Sequence, residues 1–271
     1  MSDPVAAAVA AAQQAGFSGE PVVLGDGANV LVRIGPVVAR VAVTLRRGRQ
    51  ALESELVLTR VAAARGAPVV PPADARVYEH DGLHVTFWPY VEHRRAEDED
   101  APAVGRALRA LHDAIADVDV PLVRFDRLDE VEVVAGELDH PDRQLMLAAI
   151  AAARELLAAL SLDERPIHGD AHARNTLITK RGPLWVDFEN LCRGPVEYDL
   201  ACVTFRTVVH GWFHGREALV AYGTYDAALV AQLVPLVAAF LVPWNTYLAL
   251  RVGKADDPYL RERIEYLKTF T

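Results

Sequence analysis

The apolar positions of this chain change period several times, and each change marks an element. Asp3-Pro4 opens an Ala, Val and Gln segment that closes at Gly16, the layout of a short capped helix. From Pro21 to Thr44 the apolar residues fall instead into short β-branched runs: Val22-Val23-Leu24, Val30-Leu31-Val32 and Val37 to Val43. Gly-Asp-Gly and Gly-Pro separate them, which predicts a meander of strands. Residues 51–65 return to helical spacing, with Leu52, Leu56 and Val61 along one side. Tyr78 to Phe87 predicts a hairpin that turns at Asp81-Gly82.

Beyond Val91 the pattern is helical. Glu97-Asp98-Glu99-Asp100 predicts a solvated loop whose last Asp caps the helix opening at Ala101-Pro102. Val104, Leu108, Leu111 and Ile115 supply that helix with its apolar stripe, and another helix is expected from about Pro141 to Leu160. The pattern thus predicts an α+β chain with a small strand-rich N-terminal lobe, residues 1–91, and a larger helical lobe, residues 92–271. The crossover falls near residues 88–93, and no internal repeat interrupts it.

Composition narrows the class. The 271 residues are 52% hydrophobic and 24% charged, the balance of a soluble globular enzyme. A net charge of −9 argues against nucleic acid as the main partner. The two cysteines, Cys192 and Cys202, lack metal-type spacing and read as reduced thiols of a cytoplasmic protein. The Ala-rich start lacks the basic and strongly apolar regions of a signal peptide. Ala227 to Trp244 is an uncharged run of 18 residues broken by Gln232, Pro235 and Pro243. At that length a buried core helix is expected rather than a membrane span.

The chemistry concentrates between His168 and Glu189. The run His168-Gly169-Asp170-Ala171-His172-Ala173-Arg174-Asn175 is followed by Trp185-Val186-Asp187-Phe188-Glu189. Thr176 to Ile178 and Leu184 to Val186 read as strands joined by Lys180-Arg181-Gly182-Pro183, a hairpin expected to bring Asn175 and Asp187 together. An amide oxygen beside a carboxylate suits Mg2+, which prefers hard oxygen ligands and shares its shell with phosphate. Asp170, on the loop just before, is placed to orient an incoming hydroxyl and accept its proton, so the three residues form a kit for phosphoryl transfer. His168 reads as a brace for the loop, while His172 stays open between bracing the loop and lining the site.

HGDAHARN together with WVDFENLCRGPVEYDLA resembles the aminoglycoside phosphotransferase family, within the protein-kinase-like group that includes choline and fructosamine kinases. The resemblance implies a two-lobed kinase-like fold. By it Asp170 is the catalytic base, Asn175 and Asp187 hold magnesium, and Asp199 is a buried helix-start residue that hydrogen-bonds the catalytic loop. The Gly25-Asp26-Gly27-Ala28-Asn29 turn resembles the family's nucleotide-covering loop, with Gly25, Gly27 and Asn29 near phosphate. Lysine is confined to Lys180, Lys254 and Lys268, so the phosphate-binding cation of the strand lobe has to be an arginine. Arg40 stands where this group places that residue, with Glu55 as its expected partner and Glu53 as the alternative. Phe87 to Val91 is expected to act as the hinge, with the backbone of Pro89 and Val91 facing the adenine edge.

These readings imply transfer from ATP, with GTP not excluded, to the hydroxyl of a small molecule. Amine-bearing acceptors such as aminoglycosides, amino sugars or choline-like compounds are candidates, with Glu189, Glu197, Asp226, Asp256 and Asp257 available to meet an amine. The oligomeric state is left open. Two other classes compete: a nucleotide-binding regulatory module without catalysis, and a metallohydrolase using His168-x-Asp170-x-His172 as ligands.

Overall fold

The computed structural model describes residues 2–27, 29–43, 48–211, 213–251, 253 and 257–270. Ala28, Thr44, Lys254 and Asp256, each named by the sequence reading, lie outside the described residues. The chain forms two compact units. The first comprises residues 1–95, 110–122 and 176–189, and the second residues 96–109, 123–175 and 190–271.

The first unit begins with α1 (Pro4–Ala15), capped as expected: Asp3 accepts from Val5 N, and Gly16 exits with φ 81°. Then come β1 (Pro21–Asp26), β2 (Asn29–Ile34), β3 (Val37–Ala42), α2 (Arg49–Ala64), β4 (Tyr78–His80) and β5 (Leu83–Pro89). The strands make one antiparallel sheet in the order β1-β2-β3-β5-β4. Strand alternation sends Val30, Val32 and Ile34 of β2 and Val37, Ala39 and Val41 of β3 to one face. There they pack with Ala7, Ala8, Ala11 and Ala12 of α1. The hairpin turns at Asp81 (φ 49°) and Gly82 (φ 76°), both left-handed, as a two-residue hairpin turn requires. α2 corrects one expectation. Leu52, Leu56, Leu58 and Ala62 are its buried apolar positions, whereas Val61 is only partly buried. β7 (Thr176–Thr179) and β8 (Gly182–Trp185) belong to the same unit. Their turn is shorter than expected, because Gly182 and Pro183 already pair with Thr179 and Ile178.

The second unit is mainly helical. α3 (Ala101–Ile115), of which residues 101–109 belong to this unit and 110–115 to the first, buries the stripe Val104, Leu108, Leu111 and Ile115. The charged run before it is a single 3-10 turn, Asp98–Asp100. One oxygen of the Asp100 carboxylate reaches back to accept from Glu97 N at 2.9 Å. Then follow α4 (Leu128–Glu137), α5 (Arg143–Ala158), β6 (Arg165–Ile167), β9 (Cys192–Gly194), α6 (Val196–His210), α7 (Gly215–Tyr222), α8 (Ala227–Arg251) and α9 (Pro258–Leu267). β6 and β9 pair antiparallel, so the segment after Glu189 begins as a strand before it turns helical. α8 is long and apolar enough to cross a membrane by length and composition, yet 67% of its most apolar window is buried. It packs against α4, α5, α6 and α9, as the core helix of this unit.

Candidate active site

Strand alternation decides where Arg40 points. Ala39 and Val41 enter the core under α1, so Arg40 between them faces the other side of the sheet. α2 offers Glu55 on that side. Arg40 Nη1 donates to Glu55 Oε1 at 2.9 Å, and Nη2 donates to Oε2. Glu53, the alternative partner, instead accepts from Arg49 Nε at 2.9 Å. Arg40 is 7% exposed and Glu55 1%, so this is a buried bidentate pair. Burial works against the charge on Arg40, but Glu55, Asp187 and Glu189 outweigh it and keep the guanidinium charged.

Asp187 Oδ1 lies 3.6 Å from Arg40 Nη1. Its φ is 64°, in the left-handed region that costs a non-glycine residue about 1–2 kcal/mol. Strain of this kind persists where the surroundings fix a side chain for a task. Two residues on, Glu189 Oε2 accepts from Asn29 Nδ2 at 2.7 Å, tying the β1–β2 turn to the segment after Asp187. Gly25 sits at an irregularity in the β1–β2 pairing. A Cβ at Gly25 would meet only Leu31 Cδ1 at 3.8 Å, and one at Gly27 nothing within 4 Å, so the backbone there is open to approach. Pro89 ends β5 opposite Val37, and Tyr90 N donates to Pro36 O at 2.8 Å. The Val91 carbonyl accepts from His93 Nδ1 at 2.8 Å, while its N–H has no partner among the described residues.

The second unit holds Asp170 and Asn175. Asp199, fully buried near the start of α6, accepts from His168 N and Gly169 N, each at 2.8 Å, one on each carboxylate oxygen. His168 is also fully buried, and its Nδ1 accepts from Asp170 N at 3.4 Å, so it braces the loop. Asn175 Nδ2 donates to Asp170 O at 3.0 Å. The amide is thereby oriented with its oxygen as the remaining coordinating atom.

Gly169 is fixed sterically. It has φ 82°, and a Cβ there would lie 1.9 Å from Asn190 O and 2.9 Å from Cys192 Sγ. Gly169→Ala is expected to lower unfolding free energy by about 2–5 kcal/mol, the sum of left-handed strain and overpacking. Urea denaturation checks this, and an unchanged midpoint would contradict the crowding.

Asp170 itself is 17% exposed at its side chain, with His172 Nε2 3.5 Å from Oδ2 and Arg206 Nη2 3.6 Å from Oδ1. Oδ1 is buried and accepts no hydrogen bond among the described residues. Burial pushes the carboxyl up, but His172, Arg206 and His168 outweigh it and hold it below the ordinary carboxylate range. Burial lowers the His172 imidazole below its ordinary value despite the pull of Asp170. The sequence reading did not single out Arg206. Its spacing offered a signal, because seven residues from Asp199 on a helix returns to the same face.

Solved structures with the same fold are kinases. An amicoumacin kinase in complex with AMP-PNP and Ca2+ aligns with TM-score 0.78 at 14% identity, covering 96% of this chain and 93% of its own. A choline/ethanolamine kinase family protein from Mesorhizobium loti gives 0.65 at 21%, covering 95% and 90%. The choline kinase LicA from Streptococcus pneumoniae gives 0.71 at 15%, covering 96% and 95%. At these identities the likeness establishes the protein-kinase-like fold. No curated protein matches the sequence. The family model described as "Phosphotransferase enzyme family" matches residues 22–233, from the first strand through the segment His168 to Asp187 into α8. With most of its length under that one model, the chain belongs to the phosphotransferase enzyme family.

Proposed function

We propose that the protein transfers the γ-phosphoryl group of ATP to a hydroxyl of a small molecule, with magnesium. The observation that carries this is Asp170, whose buried Oδ1 accepts no hydrogen bond among the described residues and whose carboxyl is held ionised. Relatives of the fold bound to AMP-PNP, AMP and GDP support a nucleotide partner. Their named acceptors, among them spectinomycin, support a small hydroxylated one, amine-bearing molecules included.

The donor set fits the metal. The Asn175 amide oxygen and the 42%-exposed Asp187 carboxylate are hard oxygen donors, and the rest of a magnesium shell belongs to phosphate and water. When bound, magnesium ATP supplies the phosphoryl group and neutralises its oxygens. In this reading Arg40, charged and clamped by Glu55, holds the nucleotide phosphates. Open backbone at Gly25 and Gly27, with Asn29 fixing the turn, covers them. Pro89 and Val91 present the hinge backbone, and only Val91 can donate. Asp170 accepts the hydroxyl proton as the acceptor oxygen bonds phosphorus and the bridging bond to ADP breaks. Catalysis is then chiefly positioning and charge neutralisation. A cytoplasmic setting fits this reading, since ATP is abundant there and the buried thiols Cys192 and Cys202 stay reduced.

The metallohydrolase alternative lacks support: among the described residues no group of three or more His, Cys, Asp or Glu could hold a metal ion. A silent nucleotide-binding module gives the Asp170 geometry no purpose. The deciding experiment is a phosphorylation screen across hydroxylated metabolites and antibiotics, with Asp170-dependent ADP release as the readout. Asp187→Ala is expected to weaken ATP binding in magnesium at least about tenfold while leaving binding in EDTA unchanged. Equal losses in both conditions would remove Asp187 from the metal.

A further inference from the structure

One helix of the second unit meets the Asp170 loop twice. Asp199 on α6 holds the loop backbone, accepting from His168 N and Gly169 N at 2.8 Å each. Arg206 lies seven residues on, two turns along the same face, and its Nη2 stands 3.6 Å from Asp170 Oδ1. That separation is too long for a hydrogen bond. Oδ1 is buried and accepts none among the described residues. Arg206 matches it: its side chain is 16% exposed, its Nε is buried without a partner, and it makes no hydrogen bond among the described residues.

Anchoring of the loop does not explain this contact. The two bonds to Asp199 already tie the loop to α6, and a nearly buried guanidinium without hydrogen bonds is costly. Other carboxylates of the unit are spent on backbone. Glu197 accepts from Asp226 N at 3.2 Å, and Asp226 and Asp257 accept from Leu229 N and Tyr259 N at 3.0 Å each. Asp170 Oδ1 is left unspent. A charge attraction differs here from a hydrogen bond in a useful way. It acts at 3.6 Å without strict alignment, so it restrains the carboxylate while the lone pairs of Oδ1 stay free. A direct hydrogen bond from arginine would occupy the oxygen that has to take the acceptor's proton. At the other oxygen, Oδ2, His172 Nε2 stands 3.5 Å away, so rotation of the carboxylate is opposed from both ends.

We infer that Arg206 is a positioning residue of the transfer reaction, its charge fixing the Asp170 carboxylate with Oδ1 open to the acceptor hydroxyl. This rests on the phosphotransferase reading above and adds a residue to its machinery. Arg206 acts through Asp170 and touches neither nucleotide nor acceptor.

Transfer is measured on the full chain with magnesium ATP, using water as the acceptor and, beside it, any alcohol that the phosphorylation screen yields. Arg206→Gln is expected to lower kcat about tenfold to a hundredfold, the effect of a misaimed base, with the KM values for ATP and alcohol little changed. Arg206→Lys is expected to recover part of the rate, because the charge returns on a different stem. Placed on Asp170→Asn, Arg206→Gln is expected to cause no further loss, since the two residues act as one unit. Urea midpoints of the two single variants and the double variant are expected to be non-additive, which reads the contact without turnover. An unchanged kcat with a lowered urea midpoint overturns the inference and leaves Arg206 to the fold. A raised KM, or a loss that persists on Asp170→Asn, overturns it by making Arg206 a binding group. Additive midpoints remove the contact itself. Failure of the kinase reading looks different: wild type then gives no Asp170-dependent ADP release with any acceptor, water included, and the inference falls with it even where the midpoints are non-additive.

Discussion

Asp170→Asn is expected to lower the transfer rate by about 10²–10⁴-fold, the range for losing a positioned acid–base group, while nucleotide affinity stays within a few-fold of wild type. The reason lies in the two carboxylate oxygens. Oδ2 faces His172, and Oδ1 is the buried oxygen that accepts no hydrogen bond among the described residues. An amide fills the same volume but cannot accept a proton. Because the carboxyl is held below its ordinary range, Asp170 is a weak base, which suits phosphoryl transfer through a loose transition state. It follows that the rate has no acidic limb from Asp170 above about pH 4, the ordinary carboxylate value. Stability gives an independent readout. A depressed folded-state pKa contributes stability that is present above the unfolded value near 4 and is lost as pH falls through the folded value. Asp170→Asn is therefore expected to flatten the acid limb of the stability profile. Single-turnover kinetics and urea midpoints between pH 3 and 7 measure both effects, and wild-type turnover by the variant would take Asp170 out of the reaction.

Locally encoded features were legible in the sequence. Asp3, Pro4 and Gly16 bound α1, and Asp81-Gly82 turns its hairpin, because caps and turns depend on a few adjacent residues. The contact of Asp199 with the loop at His168-Gly169 was legible from the family pattern, and the structure has a hydrogen bond from each of their N–H groups to its carboxylate. What depended on distant partners was not legible. β6 and β9 are three residues each, with 24 residues between them in sequence, and exist through pairing with one another. α4 buries only Leu128, Val131 and Ala135, too thin a stripe among its charges to announce a helix. The left-handed backbone of Asp187 breaks local preference and is imposed by its surroundings. Arg206 escaped notice because an arginine on a helix is ordinarily a solvated one, and only tertiary packing shows this one buried beside Asp170.

Glu55→Ala is expected to destabilise the protein by about 3–5 kcal/mol, because it leaves Arg40 charged and unpaired in a buried setting. The pair is bidentate, with Arg40 7% and Glu55 1% exposed. Asp187 does not replace Glu55 without moving, since it stands 3.6 Å from Arg40 and is 42% exposed at its side chain. Replacing both partners is expected to behave differently. In Arg40→Met combined with Glu55→Leu no buried charge remains, and desolvation of two ions no longer opposes folding. The double variant is expected to recover most of the lost stability, because a buried ion pair contributes little beyond an apolar pair of similar volume. ATP binding is not expected to recover, since neither methionine nor leucine neutralises a phosphate. Urea denaturation and nucleotide titration on the two variants separate these effects. A double variant that still binds ATP like wild type would show that Arg40 serves the fold of the strand unit alone, and the phosphate-binding cation would have to be sought elsewhere.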